Sequence, residues 1–376
     1  MDISVRSREK AFTMFVGWRD ILFAKGRFTL MGVTVALITL LLVMLTGLTG
    51  GLGSQNTEAL EKMGADRFVF FPASSGGQAS FADSAVTAAH ANEWSATGAT
   101  AVPIGFTTGK IEGEGASNLT LIAAPAGSDL LQRTAALVQG AAPADGQVAL
   151  PEAVAKELGA EIGDTVTFSG ADLTVSGVTA DTFYSHTNSR WTTTATWQAI
   201  THQREVEGAA AAVGTVLAVT GGSDYAATAD ATGAQALTTR EAFAALPAYR
   251  SENGSLVTMQ GFLYGISALV IVSFLTVWTI QRTRDIAVMR ALGASHRFLT
   301  LDALAQAAVI LAAGAGLGAL VGAGLGALAV NAVPFQLSAL TVAGPAAGIW
   351  ALGMAGALIA LRRVARVDPM IALGGN

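Results

Sequence analysis

Residues 273–299 read SFLTVWTIQRTRDIAVMRALGASHRFL. The stretch changes character at Gln281. Before it lies the end of an uncharged block, Val257 to Ile280, 24 residues long. After it Arg282, Arg284 and Asp285 arrive at once. A bilayer core of ~30 Å is crossed by about 20 helical residues, so the block is long enough to span it. The charges mark where the helix leaves the hydrocarbon. Beyond them Ile286, Met289 and Leu292 recur at i, i+3 and i+6, one stripe of an amphipathic helix that Gly293 is placed to end. A span joined directly to such a helix is a lever. Its apolar face suits a partner's groove, and its arginines suit acidic residues or lipid phosphates. The simpler reading is a helix that lies on the membrane surface.

Three more apolar blocks flank this one. Phe28 to Leu48 holds 21 residues without a charge, and the uncharged stretch runs on to Asn56. Leu304 to Val333 is 30 residues, interrupted only by Gln306 and Asn331, and Val342 to Leu361 is 20. Four such blocks in 376 residues argue for spans rather than buried core helices. Composition agrees: 52% of residues are hydrophobic and 13% charged, against about 25% charged in ordinary soluble domains. This excludes disorder and argues against a purely soluble enzyme. The net charge of −5 argues against a nucleic-acid partner. The chain has no cysteine, which removes disulfides, thiolate metal sites, iron–sulfur clusters and cysteine nucleophiles together. The first block exceeds a signal-peptide core and 27 residues precede it, so it reads as an uncleaved span. Cleavage near Gly50 to Gly53 is the alternative.

Charge sets the orientation. Residues 1–27, 281–302 and the tail carry 13 basic and six acidic residues, a net of +7, while 54–253 carry a net of −12. By the positive-inside rule both termini and the 281–302 loop are cytoplasmic and the large domain is outside. The expected order is an N-terminal amphipathic helix (1–27), a first transmembrane helix (28–53), an extracytoplasmic α/β domain (54–253), a second helix (254–281), a coupling segment (282–302), a third helix (303–333), a fourth (341–361) and a tail (362–376). The fold class is an α-helical membrane protein with four transmembrane helices and a large mixed α/β extracytoplasmic domain between the first two.

In that domain Arg67 to Phe71 and NLTLIAAP (118–125) read as strands. GQVALPEAVAKELGAEIGDTVTFSGADLTVSGVTA (146–180) reads as strand, short helix, strand, turn and strand, with Gly159 as helix C-cap and a hairpin turning at Gly-Ala-Asp. GTVLAVTGG (214–222) is another strand, and 224–246 reads as one or two helices. No catalytic constellation emerges. His186 and His202 have Asp181, Glu205 and Glu207 nearby, but the spacing fits no metal motif, and both read as solvated surface groups. No metal site is expected. Gly109-Lys110 is followed by Ile111 and preceded at 104 by Ile, so the phosphate-cradling loop is missing. Any ATP is bound by another chain.

Gly314, Gly318, Gly322 and Gly326 form a four-residue ridge on the third span, a surface that lets another helix approach closely. The fourth span, with Gly344, Gly348 and Gly356, is the expected partner. Phe12, Phe15, Trp18 and Leu22 make the apolar face of a helix on the inner leaflet, with an ATPase contact as the functional alternative.

RDIAVMRALGAS (284–295) resembles the signature after the second span of FtsX-like and MacB-like ABC transporter permeases. PEAVAKELGAEIGDTVTFSG (151–170) resembles the MacB-type outer-domain motif, and ARVDPMIALG (365–374) the family's C-terminal ending. The likeness covers nearly the whole chain. It implies a homodimer served by two copies of a separate ABC ATPase in a bacterial plasma membrane. It also implies that ATP-driven closure moves the outer domains through the first two helices, which form the dimer seam. Contact with the ATPase then falls to Arg282, Arg284, Asp285, Ile286, Met289, Arg290 and Leu292. Residues 266–295 look most like the heme-exporting branch, which makes heme a transported substrate and leaves the permease without an intrinsic cofactor. No span holds a histidine, but methionine and tyrosine also ligate heme iron. The places to look are the outer ends of the first two spans: Met44, Glu58, Tyr249, Arg250, Met259 and Tyr264. An antimicrobial peptide or lipid as cargo, or a signal passed to a cell-wall hydrolase, are the alternatives.

Overall fold

The computed structural model describes residues 25–72, 77–130, 137–203, 210–222, 224–281, 288–289, 293–330 and 332–364. Two compact units result: Met1–Gly51 with Ser255–Asn376, and Leu52–Gly254. In chain order the described elements begin with α1 (Lys25–Met63), β1 (Arg67–Phe70), β2 (Val86–Thr87), α2 (Ala88–Ser95), β3 (Thr100–Glu112) and β4 (Ala116–Ala124). There follow β5 (Leu137–Gly140), β6 (Gln147–Pro151), α3 (Glu152–Leu158), β7 (Thr165–Phe168), β8 (Ala171–Thr179), β9 (Phe183–Tyr184), β10 (Thr187–Thr193) and α4 (Thr194–Ile200). The last are β11 (Ala212–Gly214), β12 (Val216–Thr220), α5 (Tyr225–Thr232), β13 (Gln235–Leu237), α6 (Thr239–Ala242), α7 (Pro247–Gln281), α8 (His296–Ala329) and α9 (Ala339–Val364).

Four helices have the length and composition to cross a membrane: Phe28–Met63, Pro247–Gln281, Arg297–Ala329 and Ala339–Leu361. In the helical unit the glycine ridge of α8 meets α1, not the expected α9. A Cβ on Gly314 would lie 2.9 Å from Gly32 O, one on Gly318 would run into Ala36 O, and one on Gly322 would lie 2.9 Å from Val43 Cγ1. The glycines of α9 are used differently. Gly348 receives the Tyr264 ring and Gly356 receives Val272, both from α7, and Gly353 receives Leu311 of α8. A small-residue ridge announces a close approach but not its partner. Here the bulky partner, α1, brings Val35, Thr39 and Val43 to fill the space that Gly314, Gly318 and Gly322 leave open. The connection after α8 is seated as well. The Phe335 ring covers Gly47 and Gly326, and Gln336 N donates to Gly47 O at 2.9 Å.

The second unit is built on a sheet ordered β13-β1-β12-β3-β4-β10-β9, with β7 bridging β3 and β8, and with β5 and β6 on β8. β10 runs parallel to β4 from Asn188↔Leu119 to Thr193↔Ala124, and β6 runs parallel to β8. After Arg67, β1 is apolar because both its faces are covered. Phe68 and Phe70 join Phe81, Ile104 and Ile122, while Val69 and Phe71 join Trp94, Leu217 and Val219. A third core packs Val154 and Leu158 of α3 on Val148, Leu150, Phe168, Leu173 and Val175. α3 ends as its sequence predicts, on Gly159 at φ 61°.

Two local expectations are corrected. The 165–179 hairpin turns at Ser169-Gly170, not at Gly-Ala-Asp, because Phe168 pairs with Ala171. Both turn residues have positive φ, 47° and 88°, as a two-residue turn matched to strand twist requires. Within 224–246 the helices α5 and α6 are separated by β13, whose three residues pair with β1. So short a strand is set by its neighbour rather than by its own pattern.

Candidate functional site

The six residues expected at a cargo site divide between the two units. Met44, Met259 and Tyr264 belong to the helical unit. Met44 is half-buried and continues the line of exposed Leu30, Val33, Leu37 and Leu41 on α1. Met259 is 56% exposed and heads a stripe with Phe262, Ile266 and Leu269 on α7. This stripe lies opposite the buried Ser267, Ile271, Leu275 and Thr279. Tyr264 instead turns into the bundle beside Gly348. Gln260 donates to Thr49 Oγ1 at 3.0 Å and so ties α7 to α1. The two apolar stripes are unpaired within the described residues.

Glu58, Tyr249 and Arg250 belong to the second unit. Glu58 accepts the Phe183 N–H at 3.0 Å and pairs with Lys62 at 2.8 Å. Tyr249 lies edge-on to Phe243. Arg250 donates to Gln78 at 2.9 Å and lines an open cleft of about 460 Å³ with Ser80, Asp83 and Pro247. The three have separate partners, so within this unit they do not converge on one point.

Of the coupling segment, Arg282, Arg284, Asp285, Ile286, Arg290 and Leu292 lie outside the described residues. Met289 is described and helical. It lines a small pocket with Trp278, Thr279, Leu299, Asp302, Ala303 and Leu361. Gly293 has φ 94°, and Ala294 N donates back to Met289 O at 3.0 Å. Val288, beside Met289, is 49% exposed.

His186 is not the solvated group its sequence context suggests. Its imidazole meets Glu252 of α7 and Asn56 of α1. These partners stand 66 and 130 residues away, so no local pattern announces them. Arg190 on β10 is a buried charged group, 3% exposed. It donates to Ala180 O, and burial pulls it down to about 10 while Asp181 and Glu58 pull the other way, so it stays charged at neutral pH. No cluster of three His, Cys, Asp or Glu side chains among the described residues is placed to hold a metal ion.

This arrangement of spans and inserted domain has known counterparts. Residues 28–235 match the MacB-like periplasmic core domain and residues 257–369 the FtsX-like permease C-terminal domain. The chain belongs to the MacB/FtsX family of ABC transporter permeases. It is 23% identical to a protein of Staphylococcus epidermidis named putative hemin transport system permease protein HrtB, over 96% of this chain and 100% of that one. It is 24% identical to the HrtB of Staphylococcus haemolyticus, over 96% and 99%. It is 25% identical, over the same shares, to an uncharacterized ABC transporter permease of Mycobacterium bovis. Among solved structures, the extracellular domain of the transporter YknZ aligns at TM-score 0.34 and 13% identity, covering 46% of this chain and all of that one. The periplasmic region of MacB from Actinobacillus actinomycetemcomitans aligns at 0.32 and 17%, covering 49% and 94%.

Proposed function

We propose that this permease exports heme from the membrane as a homodimer driven by two copies of a separate ABC ATPase. The observation that carries the reading is the HrtB likeness, which covers 96% of this chain and 100% of that one. Met44 and Met259 support it, because each sits on an apolar stripe with no partner among the described residues of its unit. Two copies of such stripes make a lateral slot with apolar walls and a weak axial donor, which suits a cargo that partitions into lipid and must be released. Motion reaches the extracytoplasmic domain along α1 and α7, each an unbroken helix that extends past its apolar span. Both termini face the cytoplasm, as the basic residues dictate.

Cells that lose the permease and its ATPase grow worse in toxic heme, and growth returns with the pair. Unchanged growth points to the peptide, lipid or signalling alternatives. The purified protein binds heme with a spectrum lacking bis-histidine character. Replacing all four histidines by Ala leaves that binding in place, while Met44→Ala and Met259→Ala weaken it. Loss of heme binding in the histidine-free protein moves the site to the extracytoplasmic domain and overturns the slot.

A further inference from the structure

The hairpin joining β9 to β10 turns on two residues, Ser185 and His186, with φ of 48° and 65°. The same molecule makes the same kind of turn at Ser169-Gly170, with φ of 47° and 88°. Glycine is what the second position of such a turn favours, because positive φ brings a Cβ close to the following carbonyl. A histidine there is strained, and strain retained in a fold points to a task for the side chain.

The surroundings show what the histidine does. The turn lies against the outer extension of α1. Ser185 N donates to Asn56 O and His186 N to Gln55 O, both at 3.1 Å. Lys62 Nζ donates to Thr182 Oγ1 at 3.1 Å, beside the Phe183 contact to Glu58 already described. Tyr184, buried between Phe81 and Phe106, roots the hairpin in the core. From this base the imidazole reaches α7, where Nε2 lies 2.6 Å from Glu252 Oε2. Asn56 Nδ2, also 2.8 Å from Nε2, donates to the same carboxylate oxygen at 3.3 Å. With its proton on Nε2 the imidazole donates to Glu252, and the Asn56 amide then donates to the same carboxylate rather than to the ring. Asn56 is 1% exposed, so this is a built contact rather than a surface encounter.

We propose that the Ser185-His186 turn is a clasp that locks the outer segment of α1 to the first turns of α7, with His186 as the positioning residue that closes it. The inference rests on the reading that these two helices carry motion through the permease. Leu60 and Met63 of α1 already share a core with Leu246 and Tyr249, and the clasp adds the polar tie that fixes Glu252 on residues 55 and 56. With it, residues 55–62 and Glu252 move as one body.

The absence of native cysteine makes the test direct. Spin labels are placed at Glu61→Cys and Ser251→Cys, both exposed, in the full-length permease with its ATPase in lipid nanodiscs. The distance between them is read by double electron–electron resonance without cargo, so a permease that moves something other than heme leaves the test intact. The parent gives one narrow distance within the protomer, once the distances between protomers, read from permeases labelled at Glu61→Cys or Ser251→Cys alone, are subtracted. Ser185→Asn with His186→Gly installs the turn sequence most favoured at positive φ, so the hairpin is kept and melting is unchanged or raised. The imidazole is lost, and the distance distribution widens at least twofold. Glu252→Ala widens it in the same way, and Glu252→Gln, which still accepts the hydrogen bond, restores the narrow form. A narrow distance in the Asn-Gly variant overturns the clasp, because a merely structural turn gains from that substitution. Widening in Glu252→Gln equal to that in Glu252→Ala overturns it too.

Discussion

A detergent-solubilised Gly318→Leu permease unfolds well below the parent, with a loss of roughly 3 kcal/mol, the upper end of overpacking costs. The obstacle is backbone. A Cβ at 318 runs into Ala36 O and comes within 2.9 Å of Thr39 Cβ, and Thr39 is itself held by a 2.8 Å bond to Val35 O. A carbonyl in the middle of α1 cannot rotate away as a side chain can. Gly322→Leu costs less, because its neighbour is the Val43 side chain. The controls lie on the same helix. Gly316 and Gly324 have nothing within 4 Å, so leucine there meets open space and gains about 0.5–1 kcal/mol of helix propensity. In lipid, cohesion between helices comes largely from close packing, so an insult to the α1–α8 contact is not offset elsewhere. Equal melting of Gly318→Leu and Gly316→Leu would show that α1 and α8 do not depend on this approach. Lowered melting in both would place the ridge on the wrong face of α8.

These positions show what a sequence discloses and what it withholds. The uncharged blocks are legible because a span must hide every polar side chain over about 20 residues, and nothing local competes with that demand. The ridge at 314–326 is legible as a surface of close approach, yet its partner α1 is not, since a missing side chain is complementary to anything. The same holds for Gly47, which receives Phe335 from a loop nearly 290 residues away. In the extracytoplasmic domain, Gly159 declares a helix end because αL geometry is a local requirement. Ser185-His186 declares little, because serine marks turns only weakly and the pair lacks the glycine of a hairpin signal. What makes the turn worth its strain is the contact to Asn56 and Glu252, which exists only once the chain has folded.

If the segment after the second span meets the ATPase, substitution there acts most strongly on function, and two adjacent residues divide the effect. On the sequence alone, Met289→Asp is expected to uncouple ATP hydrolysis from export and leave folding intact. The position of Met289 revises that. It lines the same pocket as Trp278, Leu299 and Asp302, and Asp302 is only 8% exposed, with Gln306 donating to its carboxylate at 2.8 Å. A second carboxylate there is half-buried and shares the pocket with Asp302, a combination that costs on the order of 1–2 kcal/mol. Met289→Asp is therefore expected to lower the stability of the permease itself. Val288→Asp puts the charge on the exposed side of the same turn, where surface substitutions stay within about 0.5 kcal/mol. If this face meets the ATPase, Val288→Asp keeps the parent melting temperature. ATP hydrolysis then continues while heme export in vesicles falls at least tenfold. Normal export by Val288→Asp would confine the role of this helix to packing against its own bundle. Met289→Asp melting like the parent would show that the pocket beside Asp302 is open to water.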